Sequence, residues 1–300
     1  SVRLRQAIAQ LHDIEADRVV CGFGSDEILQ LMCRAYAGPG DEVIYSEHGF
    51  LVYPIAALSA GATPVAVPDD GYYASVDNLL AAVNERTRLV FLANPNNPTG
   101  TYLPKDEVER LHAGLPDHVV LVLDGAYAEY VEGADYDPGL RLADSAPNVL
   151  MTRTFSKIYG LAALRLGWAY GPEGIIDVLN RLRGPFNVSG PAQAAGLAAL
   201  DDQEFVARQR EHVRRWRDVF TQRLTALGLK VVPSAANFVL IRFASDKAAA
   251  DMDEALRKRG FYLRRMERYG FSDHLRLTVG TEPENEGVLS AFAELMAERA

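Results

Sequence analysis

HVVLVLDGAYAEY, residues 118–130, is an almost continuous apolar run that stops at an aspartate, Asp124, and its reading decides the rest. Apolar residues in succession, rather than in alternation, suit a strand buried on both faces, as in a parallel sheet covered by helices. Upstream, LVFLA at 89–93 has the same character and runs into Asn94, Asn96 and Asn97; downstream, NVLMTRTF at 148–155 runs to Ser156 and Lys157. Further strands are expected at 18–21, 42–45, 64–67 and 165–170, with helices at 26–36, 50–60, 76–83 and 105–115. Strands alternating with helices mean βαβ units, so the expected fold is α/β with a doubly wound, mostly parallel sheet. Leu4, Ile8 and Leu11 recur at helical spacing, which places Ser1 in or just before a helix, with further sequence expected upstream.

After residue 170 the pattern changes. Residues 201–227 read as one charged helix, about 40 Å long at 1.5 Å per residue, better suited to joining two domains than to lying on one sheet. Segments 237–243, 248–259, 274–279 and 284–298 then read β, α, β, α. The expected organisation is a large α/β domain over 1–200, an interdomain helix over 201–227 and a small C-terminal α+β domain over 228–300.

Composition narrows the function. The chain has 300 residues, 48% of them hydrophobic and 24% charged, as in a globular protein that buries most of its unfolded surface. No apolar stretch reaches the roughly 18 residues that span a bilayer, and the first twenty positions lack a basic-then-apolar leader, so neither a membrane nor export is expected. With 31 Lys and Arg against 40 Asp and Glu, the net charge of −9 repels a phosphate backbone, and nucleic acid is not an expected partner. The densest basic cluster, Arg214, Arg215 and Arg217, reads as a solvated helix face. Two cysteines, Cys21 and Cys33, exclude a disulfide framework and point to the cytoplasm. The six histidines, at 12, 48, 112, 118, 212 and 274, show no metal-ligand spacing and are expected at the surface or in loops. Gly22-Phe23-Gly24 half satisfies a dinucleotide fingerprint, but Glu27 occupies its third glycine position. Serine-hydrolase elbows and P-loops do not occur.

In a doubly wound sheet, ligands bind outside the carboxyl ends of the strands. An amide, a carboxylate and an amine therefore converge on one edge. Singly, Asn, Asp and Lys begin loops everywhere; together they match what pyridoxal phosphate requires. That cofactor needs a lysine for its Schiff base, an acid to keep its pyridine nitrogen protonated, donors around its ring oxygen and a phosphate anchor. Lys157 supplies the amine, and its proton-transfer role needs a lowered pKa, which burial and Arg165 would favour. Asp124 faces the pyridinium, and Tyr127 and Asn97 reach the phenolic oxygen. Thr154, Ser156 and Arg165 serve the phosphate. Gly24 and Ser25 are expected as a tight turn and a cap, with the helix starting at Asp26 turning free N–H groups outward.

NPNNPTG (94–100), DGAYAEY (124–130) and TFSKIYGLAALRLGW (154–168), in that order, resemble the fold-type-I aminotransferases. GSDEI (24–28), RGPFNVSGPA (183–192) and LRLTVGT (275–281) are similar to the histidinol-phosphate aminotransferase family. The resemblance implies Lys157 as the cofactor-bonded lysine, Asp124 on the pyridine nitrogen, and Tyr127 and Asn97 on the ring oxygen. It implies Ser25, Asp26, Thr154, Ser156 and Arg165 around the phosphate, and Phe50 in EHGFLVY stacking on the ring. Arg276 falls on the arginine that holds the substrate's anion, a glutamate carboxylate or a histidinol phosphate. Arg264 falls on a second substrate arginine, although the neighbouring Arg265 departs from the family pattern and a solvated charge is the alternative reading. The implied reaction is transamination of histidinol phosphate with 2-oxoglutarate, giving imidazole acetol phosphate and glutamate in histidine biosynthesis. The implied alternatives are an aromatic amino-acid aminotransferase or a phospho-amino-acid decarboxylase, and outside catalysis a cofactor-bound regulator. A homodimer taking a small amino donor and a 2-oxo acid is implied too. So is a segment ahead of Ser1 with a small-domain arm and a tyrosine given to the neighbouring site.

Overall fold

A computed structural model describes residues 1–298 of the chain. The elements are α1 (Val2–His12), β1 (Val19–Phe23), α2 (Gly24–Tyr36), β2 (Glu42–Ser46), α3 (Val52–Ser59), β3 (Thr63–Val67), α4 (Val76–Ala82) and β4 (Thr87–Ala93). They continue with α5 (Lys105–Gly114), β5 (Val120–Asp124), α6 (Leu140–Ser145), β6 (Val149–Thr154), β7 (Leu166–Tyr170), α7 (Glu173–Leu182) and α8 (Gly190–Asp201). After α9 (Gln203–Ala226) come β8 (Lys230–Val232), β9 (Phe238–Arg242), α10 (Asp246–Lys258), β10 (Arg264–Met266), β11 (Phe271–Thr278) and α11 (Glu282–Ala297).

The large sheet has seven strands in the order β1-β7-β6-β5-β4-β2-β3. Pairing is parallel from β6 to β3, and β7 runs antiparallel to both of its neighbours. The near-continuous apolar strands are explained by burial on both faces. In β4 and β5, Val90, Leu92, Leu121 and Leu123 enter one core, while Leu89, Phe91, Val120 and Val122 enter the other. Because β4, β5 and β6 are adjacent, Ala93 pairs with Asp124 and Asp124 with Thr152. The three polar strand ends therefore open onto one edge.

The small sheet, β10-β11-β9-β8, is antiparallel throughout and is covered on both faces. Val239, Ile241, Leu275 and Leu277 form a core with Met252, Leu256, Val288 and Phe292 from α10 and α11. On the opposite face Leu240, Met266, Tyr269 and Phe271 pack with Leu51 and Tyr72 of the large unit. The long helix α9 belongs to both: Val206 and Val213 enter the large core, and Trp216, Phe220 and Leu224 the small one. It starts at Gln203 rather than at 201, because the Asp202 side chain accepts from the Phe205 N–H at 2.9 Å and caps it. The basic cluster on α9 is not simply solvated. Arg214 pairs with Glu211 at 2.6 Å, Arg215 with Glu282 at 3.2 Å, and Arg217 donates to the Ala236 carbonyl at 3.0 Å. Among the described residues no helix is long and apolar enough to cross a membrane.

Candidate active site

A cleft opens at the carboxyl ends of β4, β5 and β6, lined by side chains from all three strand ends. Asp124 closes β5 and is 4% exposed. The Tyr53 hydroxyl donates to its Oδ2 at 2.9 Å and the Thr152 hydroxyl to its Oδ1 at 3.2 Å. Among the described residues it forms no ion pair. Burial pushes its carboxyl up to about 6, against the pull of those two donors. Tyr53 is itself fixed by a parallel stack on Phe91, ring centroids 4.8 Å apart. Sequence reasoning missed Tyr53 and Thr152. The signal for Tyr53 was its place one turn beyond Phe50, whose ring meets it edge-on at 5.9 Å.

Lys157 follows β6 into the same cleft. Its Nζ lies 5.4 Å from the centre of the Tyr127 ring and has no hydrogen bond or salt bridge among the described residues. Burial first, and the Arg276 guanidinium second, hold its pKa below the ordinary lysine value. An amine so placed spends a larger fraction of its time neutral and nucleophilic. Tyr127, also buried, packs edge-on against Phe238 at 5.4 Å, and burial raises its phenol to about 12.

The anion cradle is built by the β1–α2 turn against β7. Gly24 has φ +75°, and a Cβ there would lie 2.4 Å from Arg165 Nη2, so only glycine leaves the guanidinium room. A Cβ on Gly167 would lie 2.3 Å from the Ser25 nitrogen, so that glycine lets β7 touch the start of α2. Arg165, held at φ +52°, reaches Asp26 Oδ2 at 3.1 Å, Ser156 Oγ at 3.4 Å and the Ala162 carbonyl at 3.0 Å. Thr154 Oγ1 accepts from the Ser156 N–H at 3.1 Å. Ser25 is not the expected cap: α2 already begins at Gly24, and the Phe23 N–H is satisfied by Glu27 Oε2 at 2.7 Å. Ser25 lines the cleft, and its hydroxyl has no hydrogen-bond partner among the described residues.

From the small sheet, Arg276 on β11 donates to Asn97 Oδ1 and lies 4.6 Å above the Phe238 ring, while its buried Nε has no partner. Asn97, expected as a donor to the cofactor's ring oxygen, lines the cleft with its carbonyl engaged by the guanidinium and its side chain also hydrogen-bonded to Tyr269. Arg264 stands directly opposite Arg276 in the β10–β11 register and is exposed, whereas Arg265 forms a salt bridge with Glu267. Two histidines depart from the surface placement expected of them. His274 is 3% exposed, and His12 packs on Trp168 at 5.1 Å, where burial lowers its pKa to about 4.

These residues fit pyridoxal phosphate on physical grounds. A buried carboxylate lacks a counter-cation, an amine lacks a partner, a serine hydroxyl and an arginine nitrogen are unspent, and a glycine keeps the anion cradle open. Fold and site together define an enzyme of the Schiff-base lysine type on a doubly wound sheet.

The chain belongs to the aminotransferase class I and II family, whose model matches residues 1–292. It is 53% identical over 296 residues to a histidinol-phosphate aminotransferase of Rhodopseudomonas palustris (strain HaA2), spanning 98% of this chain and 81% of that protein. The protein of that name from strain BisB18 is 52% identical over 297 residues, with the same coverage. Among solved structures, the Sinorhizobium meliloti histidinol-phosphate aminotransferase in complex with pyridoxal-5'-phosphate superimposes with a TM-score of 0.89 at 29% identity, covering 99% of this chain and 82% of that one. A putative histidinol-phosphate aminotransferase from Erwinia carotovora gives a TM-score of 0.93 at 26% identity, covering 99% and 86%.

Proposed function

We propose that the protein is a pyridoxal 5'-phosphate-dependent aminotransferase that moves an amino group between histidinol phosphate and 2-oxoglutarate, yielding imidazole acetol phosphate and glutamate in histidine biosynthesis. The observation that carries this reading is the Lys157 amine, without a hydrogen bond or salt bridge among the described residues, set in one cleft with the Asp124 carboxylate and within electrostatic reach of the Arg276 guanidinium. The similarity to named histidinol-phosphate aminotransferases supports the choice of substrate.

The bound cofactor supplies an electron sink for the substrate's Cα–H bond. The protein does the rest. Lys157 Nζ would hold the cofactor and would carry the proton away from the substrate Cα. Asp124, ionised at neutral pH, keeps the ring nitrogen protonated, while Tyr53 and Thr152 hold the carboxylate in place. Phe50, Tyr127 and Asn97 line the cleft, where Phe50 would stack on the ring and the other two would donate toward its oxygen. Ser25, Asp26, Thr154, Ser156 and Arg165 surround the phosphate, with Asp26 orienting Arg165 rather than meeting the anion. Arg276 takes the substrate's carboxylate or phosphate, and Arg264, opposite it in register, adds a second positive charge at the mouth.

A homodimer belongs to the same reading. Phe186 is 93% exposed and Phe23 is 52% exposed, while the Asn187 amide, next to Phe186, donates to Cys21 O and Glu27, so both rings border the β1–α2 turn as apolar surface for a second copy. A cytoplasmic location is supported by two buried, free cysteines.

The test is turnover of pyridoxal phosphate-loaded protein with histidinol phosphate, phenylalanine and tyrosine as amino donors. Histidinol phosphate is expected to give the highest kcat/KM. Preference for the aromatics overturns the substrate, and a cofactor spectrum left unchanged by glutamate overturns the aminotransferase reading itself.

A further inference from the structure

Strand β11 turns His274 and Arg276 toward the large sheet, two residues or about 7 Å apart on one face, while Leu275 and Leu277 point into the small core. Each is tied to a different loop. Arg276 donates to Asn97. The Nε2 of His274 lies 2.9 Å from the Tyr72 hydroxyl, and its Nδ1 lies 2.5 Å from Asp273 Oδ1. The other Asp273 oxygen accepts from Arg242 Nε at 2.9 Å. A carboxylate paired with arginine only accepts, so Nδ1 carries the ring proton, Nε2 is bare, and the phenol is the donor. Burial holds the His274 imidazole below its usual range, which keeps Nε2 an acceptor at neutral pH.

The two loops are also joined to each other. Thr101 Oγ1 donates to the Tyr72 carbonyl at 2.6 Å and lies 2.8 Å from Thr99 Oγ1, which accepts from Asn96 Nδ2 at 3.0 Å; Asn97 is the next residue. The contacts close a ring: Arg276, Asn97, Asn96, Thr99, Thr101, Tyr72, His274 and back along the strand. Only one link of that ring, Arg276 to Asn97, is in competition with an anion entering the cleft. The ring of Tyr72 is meanwhile packed with Phe271, centroids 5.7 Å apart, in the apolar cluster between the two units.

We propose that Tyr72, acting through His274, is a positioning residue for Arg276, holding β11 against the large sheet so that the guanidinium stays aimed when a substrate carboxylate or phosphate takes it from Asn97. This rests on Arg276 as the substrate's anion site, and it adds a specific requirement: the hydrogen bond from the Tyr72 hydroxyl to His274, made beside that hydroxyl's contact with the Arg242 side chain, sets affinity for the anionic substrate while leaving the chemical step alone.

The experiment uses the pyridoxal phosphate-loaded protein and the variants Tyr72→Phe, His274→Leu and His274→Gln. Tyr72→Phe and His274→Leu are expected to weaken 2-oxoglutarate binding by calorimetry about tenfold, the worth of one lost hydrogen bond. They raise KM for histidinol phosphate by a similar factor with kcat changed less than about threefold, as loss of uniform binding requires. Cofactor affinity, read by absorbance titration, stays unchanged. His274→Gln, whose amide oxygen reaches the place of Nε2, recovers most of the loss. The proposal is overturned if Tyr72→Phe binds 2-oxoglutarate as the parent does, if His274→Gln is no better than His274→Leu, or if the losses fall on kcat or cofactor affinity instead. If the parent binds 2-oxoglutarate but does not turn over histidinol phosphate, the substrate assignment fails while the binding arm still judges the tether. If the parent does not bind 2-oxoglutarate, Arg276 is not its anion site and both fail.

Discussion

The proposed cofactor side and the proposed substrate side of the cleft are built on different principles. The cofactor side hangs from β4, β5 and β6, strands buried on both faces whose ends are fixed by two hydrophobic cores. The substrate side hangs from β10 and β11, where β10 has three residues and the register breaks between Arg265 and Met266. On the first side each functional group has a position set by the sheet and needs few partners: among the described residues Lys157 has no hydrogen bond or salt bridge, and Asp124 has two hydroxyls and the Ala126 backbone N–H. On the second, Arg276 is held by a chain of contacts reaching across to the other unit. Groups set by the large sheet are therefore expected to fail through chemistry when replaced, and groups on the small sheet through affinity.

That contrast can be broken at several points. Replacing Lys157 by alanine is expected to lower kcat by more than about 10⁴-fold, since covalent attachment and proton transfer are lost together; a pre-steady-state assay that finds only a modest loss would move the chemistry elsewhere. Asp124→Ala should cost about 10²–10³ in kcat and weaken cofactor binding, the scale of removing one preorganised charge from a buried site. Near-normal turnover there would remove the reason for placing the ring nitrogen beside it. Arg276→Ala should instead raise KM for 2-oxoglutarate about 100-fold with a smaller change in kcat, as loss of a hydrogen-bonded guanidinium from a part-buried site predicts. A kcat-dominated effect would erase the distinction between the two sides.

The smallest effect is on stability. The Asp124 carboxyl, about 6 in the folded protein against about 3.9 in the unfolded chain, is more easily protonated when folded. Its contribution is therefore present below about pH 4 and is lost as pH rises through about 6. In cofactor-free protein, Asp124→Asn should then be more stable than the parent by about 3 kcal/mol at pH 7 and little different near pH 4. Urea denaturation at the two pH values checks it, and an equal gain at both would show that packing, not ionisation, is responsible.

How far the molecule could be read from its sequence follows the same division. Doubly buried strands announce themselves as unbroken apolar runs, so Leu89–Ala93, Val120–Asp124 and their polar ends were legible, and with them Asn97, Asp124 and Lys157. Helices α7 and α8 were not: α8, GPAQAAGLAALD, is so rich in alanine and glycine that it lacks the apolar–polar contrast on which periodicity depends. Strands β8 and β10 are three residues each, too short to show alternation. Tyr53 and Tyr72 escaped because nothing local distinguishes them from core aromatics; their hydroxyls acquire meaning from partners 71 and 202 positions away. The motif resemblance supplied Arg276 and Phe50, which no pattern of spacing would have singled out.

Helix α9 carries a last consequence. Since Val213 is packed in one lobe and Trp216 in the other, a single turn of backbone joins them, and no flexible joint lies along that path. The lobes cannot swing apart there without breaking the i to i−4 ladder. Neither lobe keeps its full complement of packed side chains once that rod frays, and heating should melt the pair in one cooperative transition.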